Sequence, residues 1–115
     1  MSSNFSNGYA VVIGVGADLQ VTIKDANAIA RQLDDPTRCA YMSAQIRLLT
    51  GQNARREHIL SALDWLISKV DQNDTAIVYF SGHGIEVPNF YLVPFGFDRN
   101  SLADTAISGI EFTER

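Results

Sequence analysis

Thr75-Ala-Ile-Val-Tyr-Phe-Ser-Gly-His-Gly84 is the stretch on which the fold and the chemistry both turn. Thr75–Phe80 is an uninterrupted run of β-branched, aromatic and small residues. Such a run predicts a strand buried on both faces, as in a parallel sheet. Ser81-Gly-His-Gly84 ends it abruptly. Glycine on either side of His83 lets the backbone turn sharply and approach a ligand closely. An imidazole in that position can take or give a proton near neutral pH. Position alone leaves a second reading open, a histidine that merely ends a strand and bonds to a backbone carbonyl.

Upstream, Tyr9-Ala-Val-Val-Ile-Gly-Val15 is another continuous apolar run and predicts a second doubly buried strand. Between Ile23 and Leu33 the apolar residues Ile23, Ala26, Ile29, Ala30 and Leu33 fall on one helical stripe. Asp34-Asp35-Pro36 stops that helix, because proline disfavours helical geometry in the residue before it. Ala44–Thr50 reads as a strand closer to a sheet edge. Asn53 is a candidate N-cap for an amphipathic helix from Ala54 to Val70, which Asp71–Asp74 ends. Downstream, Asn89–Pro94 predicts a short strand, the second arm of a hairpin, and Asp104 or Thr105 opens a last helix. Alternating strands and helices imply a parallel sheet with right-handed crossovers and helices on its faces. Ligand chemistry in open sheets of this kind sits beyond the carboxyl ends of the strands. Gly14-Val-Gly16 and Ser81–Gly84 both belong there.

The 115 residues are 46% hydrophobic and 19% charged, with a net charge of −4. This is a globular composition, and the length suits one domain: residues 1–8 as a flexible start, 9–115 as the folded unit. The acidic balance argues against a nucleic-acid surface. No apolar run reaches the roughly 20 residues of a membrane span, and no export signal opens the chain. A single cysteine, Cys39, excludes an internal disulfide and Cys-based zinc sites, and two histidines are too few for most metal cages. A reducing, cytoplasmic setting follows.

Other candidates are weaker. Gly14-Val-Gly16 could begin a dinucleotide fingerprint, but Leu19 stands where its third glycine belongs. Thr50-Gly51-Gln52 also lacks the acidic ribose partner. A tight strand exit explains the two glycines better. Cys39 falls in a connection expected at the other end of the sheet from His83 and reads as a partly buried small hydrophobe. His58, Arg55 and Arg56 read as solvated helix surface. Asp25 is either a partner of the helix dipole or an acid lining a pocket for a basic group. Asp98 and Asp104 lie in a polar loop where hard-cation binding is conceivable.

Taken in order, Tyr9–Gly16, Lys24-Asp-Ala26, Asp74–Gly84, Tyr91-Leu-Val-Pro94 and Asp104-Thr-Ala-Ile-Ser108 resemble the caspase-like fold, and within it the bacterial metacaspase relatives called orthocaspases. The resemblance runs from Tyr9 to the C-terminus. It implies an α/β, Rossmann-like three-layer fold, a mostly parallel sheet with helices on both faces, of which this chain is the N-terminal part. It implies a His/Cys dyad hydrolysing peptide bonds, with His83 as the base and the Gly84 N–H facing the oxyanion. It further implies a substrate with Arg or Lys before the scissile bond, its basic side chain held by Asp25 and Ser81.

The departure from the family is its nucleophile, which belongs in an Asp-x-Cys segment one helix and one strand further on. Cys39 does not match that position. Without a thiol, His83 cannot carry out covalent hydrolysis, so the chain alone is predicted inactive. The expectation is therefore the His-bearing part of a cysteine endopeptidase, completed by a Cys-bearing C-terminal fragment or a second chain. Ending on Arg115 is what an Arg-specific enzyme cutting its own chain would leave. A catalytically silent protein-interaction module is the alternative. Without a further strand, the edge of Thr75–Phe80 would lie open, which predicts association there. No cofactor and no metal are assigned. The family's frequent use of calcium points to Asp98 and Asp104, although Gly96 stands where relatives often carry aspartate.

Overall fold

The first strand is the spine of the fold. In the computed structural model, which describes residues 8–16, 20–86, 90–97 and 105–108, β1 spans Gly8–Gly14. It pairs in parallel with β2 (Ile46–Thr50) on one side and β3 (Thr75–Ser81) on the other, giving the order β2-β1-β3. The strand opens at Gly8, one residue ahead of the expected Tyr9. Residues 1–7 lie outside the described residues.

The two faces of β1 carry two cores. Val11, Ile13 and Val15 pack with Ile59, Leu60, Leu63 and Leu66 of α2 (Arg56–Lys69). Ala10 and Val12 pack with Ala26 and Leu33 of α1 (Val21–Asp34) and with Tyr41. A sheet clad by a helix on each face is why β1 reads as an unbroken apolar run: every one of its side chains meets protein. Both helices follow the predicted periodicity to within two residues at each end. Asn53 is not a cap, however. It closes a short 3-10 turn, Gly51–Asn53, and α2 starts after Arg55 without a side-chain cap.

β3 differs from its expectation. It was expected to be buried, yet Thr75, Ala76 and Val78 are exposed, Val78 by 38%. Its composition is that of a core strand, but β1 is its one sheet neighbour among the described residues, and α2 lies over β1 and β2 instead.

A second, antiparallel sheet of order β4-β5-β6 follows. It comprises β4 (His83–Glu86), β5 (Phe90–Val93) and β6 (Ile107–Ser108). The hairpin expected from Asn89–Pro94 is present, with Phe90–Val93 as its second arm. The last helix is corrected at Ile107–Ser108. These residues pair with Leu92 and Tyr91 as a strand, and Ile107 is fully buried in the α2-side core. Thr105 is itself helical, but the apolar anchor and strand partner at Ile107 keep the helix from running on.

Candidate active site

The carboxyl rim of the parallel sheet is built by close backbone approach. A Cβ on Gly14 would lie 2.3 Å from the Thr22 carbonyl oxygen and 2.7 Å from Ala26 Cβ, so glycine here lets the start of α1 sit directly on the end of β1. Gly16 has φ +76°, a left-handed conformation that favours glycine. Its N–H donates to Thr22 Oγ1 at 2.7 Å, and Thr22 is buried. Gly14-Val-Gly16 is thus a tight strand exit that seats a helix, the simpler of its two sequence readings.

The same rim receives the end of β3. Ser81 pairs with Gly14, and its carbonyl accepts from the Val15 N–H at 3.1 Å. Gly82 then packs against Val15 and the Phe80 ring, so close that a Cβ would stand 3.0 Å from Val15 Cγ2. His83 follows at once as the first residue of β4, opposite Val93, and Gly84 pairs with Leu92. His83 and Gly84 are exposed and Ser81 is half-buried. Asp25 is exposed on α1, one turn after Thr22. It lies past the first turn of the helix, so the dipole reading loses its geometry. Asp25, Ser81, His83 and Gly84 therefore all belong to one rim, reached by three different elements.

Cys39 belongs to the other rim. It is exposed in the turn after α1, not partly buried as expected. Its neighbour Tyr41 lays its ring over Gly8, the first residue of β1, whereas Ser81 lies opposite Gly14, the last. The seven residues between these ends span about 20 Å. Burial raises the Tyr41 phenol above its ordinary pKa, and the adjacent Cys39 adds to the rise. A Cys39–His83 dyad is ruled out by this separation.

His58 is exposed on α2, as expected. Asp98 and Asp104 lie outside the described residues. Among the described residues, no group of three or more His, Cys, Asp or Glu side chains could hold a metal ion.

Sequence reasoning missed Arg55 and Arg56, which are not solvated helix surface. The Arg55 guanidinium stacks on the Phe95 ring, 5.0 Å from its centre, and packs against Gly96, whose φ is +83°. Arg56 Nε donates to the Ala106 carbonyl at 3.0 Å. The Phe95 N–H donates to the Ala54 carbonyl at 2.9 Å. Together these contacts hang the antiparallel sheet, and with it the strand beginning at His83, on the N-terminus of α2. Two adjacent arginines at a helix start carry no local signal of this. Only the aromatic and glycine at Phe95-Gly96 hinted at a partner.

The caspase-domain family profile matches residues 7–112. The chain belongs to the caspase domain family. It is similar to metacaspase-1B of Aspergillus terreus, 30% identical over 83 residues that cover 67% of this chain and 21% of that protein. It is likewise similar to metacaspase-1 of Cryptococcus neoformans, 32% identical over 83 residues covering 67% of this chain and 18% of that protein. The chain spans about a fifth of the length of these relatives. No solved structure matches it significantly. The parallel sheet between two helices is the α/β architecture expected of a caspase domain. No described helix of this domain is long and apolar enough to cross a membrane.

Proposed function

We propose that this caspase domain is the His-bearing part of a cysteine endopeptidase cleaving after Arg or Lys, of the orthocaspase kind. In this reading His83 takes the proton from a thiol brought by a Cys-bearing segment, further along the polypeptide or on a second chain. The thiolate attacks the scissile carbonyl carbon, and the Gly84 N–H faces the oxygen as it gains charge. His83 then gives its proton to the leaving amine, and water hydrolyses the thioester. Asp25 and Ser81 hold the basic side chain of the substrate, a carboxylate and a hydroxyl facing a guanidinium or ammonium group. A reducing, cytoplasmic setting suits a reaction that depends on a free thiol.

The observation that carries the reading is an exposed imidazole where the third strand ends, on the rim that also holds Asp25 and Ser81. The flank of β3, which no described strand covers, supports the rest. A strand composed like a core strand, with Val78 open to solvent, is suited to being covered by the segment that brings the thiol.

The test combines the domain with its Cys-bearing segment and offers fluorogenic peptides ending in Arg, Lys or Asp. The Arg and Lys peptides turn over and the Asp peptide does not. His83→Ala lowers turnover by about 10²–10⁴-fold. Asp25→Asn raises KM for the basic peptides more than it lowers kcat. Unchanged turnover in His83→Ala refutes the assignment and leaves the silent interaction module in its place.

A further inference from the structure

The far edge of the sheet carries a groove that the proposed peptidase reaction does not use. It lies between β2, whose outer edge has no strand partner among the described residues, and the flank of α2. Arg47 and Leu49 line it from β2, and His58, Ser61, Ala62 and Trp65 line it from α2. The helix residues stand at i, i+3, i+4 and i+7, which makes one continuous stripe facing the strand. Trp65 is the floor. Its ring meets Tyr9 edge-on at 6.1 Å, and the Arg47 guanidinium lies over it, 4.4 Å from the ring centre.

The charge at this site is one-sided. Arg47 is exposed, and among the described residues its guanidinium meets an aromatic face, not a carboxylate. The His58 imidazole and the Ser61 hydroxyl, both exposed, offer further hydrogen-bond donors beside it. The acids of the same helix, Glu57 and Asp64, each stand one position before a groove residue and do not line it. In a chain of net charge −4 this is a local cationic site beside an open strand edge.

We propose that β2 accepts an extended peptide segment as an added strand, with an acidic side chain of that segment against Arg47. Side chains of an added strand alternate between the two faces. On the groove face, one position meets Arg47 and the position two residues away meets Leu49, over Ala62 and Trp65. The position between them meets Leu48, which lies on the opposite face and is 40% exposed. The segment that fits is therefore acid–apolar–apolar, its backbone paired to β2, its carboxylate on the guanidinium and its apolar pair on Leu48 and Leu49. Main-chain hydrogen bonds supply affinity, and the Arg47 contact supplies selectivity and register.

Trp65 is the chain's only tryptophan, so its emission reports directly from the groove. The full chain is titrated with an eight-residue peptide bearing the acid–apolar–apolar centre, and with the same peptide carrying lysine for the acid. The acidic peptide gives a saturable change in emission and binds at least about tenfold more tightly than its lysine counterpart. Arg47→Glu, an exposed substitution whose folding is checked by its far-UV spectrum, reverses the preference. N-methylation of the central amides abolishes binding by either protein. Equal response to both peptides, no response to either, or an unchanged preference in Arg47→Glu overturns the proposal. So does concentration-dependent self-association that the acidic peptide does not compete, which would make a second copy the occupant.

Discussion

The two sheets of this domain are assembled on different principles. The parallel sheet is held by burial: β1 has six of its seven residues buried, and two helices close over it. Among the described residues, the antiparallel sheet is tied to the start of α2 by directional contacts, Arg55 on Phe95, Arg56 on Ala106 and the Phe95–Ala54 backbone bond. Ile107 is, among the described residues, the fully buried apolar side chain this sheet adds to the α2-side core, with Leu92 partly buried beside it. A sheet built on area unfolds as a unit. A sheet hung on individual hydrogen bonds can loosen locally, at lower free energy than global unfolding. The proposed base lies at the junction of the two, on the first residue of the hung sheet.

The sharpest way to break this contrast is in the spine. Ile13→Ala removes a fully buried side chain packed between β1 and α2 and is expected to destabilise the whole domain by about 2–5 kcal/mol, read by urea denaturation. The transition stays single, with both sheets lost together. Gly14→Ala comes next. Its new Cβ meets backbone, which yields less readily than a flexible side chain, so α1 must lift from β1 at a cost of about 1–3 kcal/mol. Thr22→Val keeps the shape but leaves the Gly16 N–H without its acceptor, for a loss of about 1–3 kcal/mol.

Arg56→Met sharpens the contrast from the other side. It removes one hydrogen bond to Ala106, worth about 1 kcal/mol. Hydrogen exchange of the β5 and β6 amides should quicken while protection of β1 holds. If β1 amides quicken equally, the two sheets are one cooperative unit and the distinction fails.

The smallest effect is expected at Asp35, in the turn on the far rim. Its carboxylate accepts from the Thr37 hydroxyl and N–H, which hold its pKa below the ordinary value, and Arg38 adds to the lowering. A lowered folded-state pKa means that the contribution is fully present above the unfolded carboxylate's range. It is lost as pH falls through the lowered value. Asp35→Asn should therefore narrow the gap to wild type only at acid pH, in thermal melts followed from neutral pH downward.

Much of this could be read from residue order. Unbroken apolar runs at Tyr9–Val15 and Thr75–Phe80, and two helical stripes between them, specify strands and helices from period alone. Ser81-Gly-His-Gly84 marked a candidate site because glycine-flanked imidazole after a strand is a local pattern. What period could not convey is how many neighbours a strand has. Thr75–Phe80 has the composition of a central strand yet has one strand neighbour among the described residues, because burial depends on which other segments arrive beside it. Nor could it convey that Arg55 and Arg56 reach residues some forty to fifty positions away, as in the Arg56–Ala106 bond.

The sequence by itself determined the alternation of strands and helices, the glycines where α1 meets β1, and the placing of a histidine at a strand's end, because each depends on near neighbours along the chain. Tertiary structure alone decided that Ser81, His83 and Asp25 share one rim while Cys39 sits at the other. It also decided that Ile107 is drawn into a strand and that a cationic groove opens beside β2. These depend on which surfaces meet in space, and burial and pairing energies at such meetings outweigh the weak preferences of single residues.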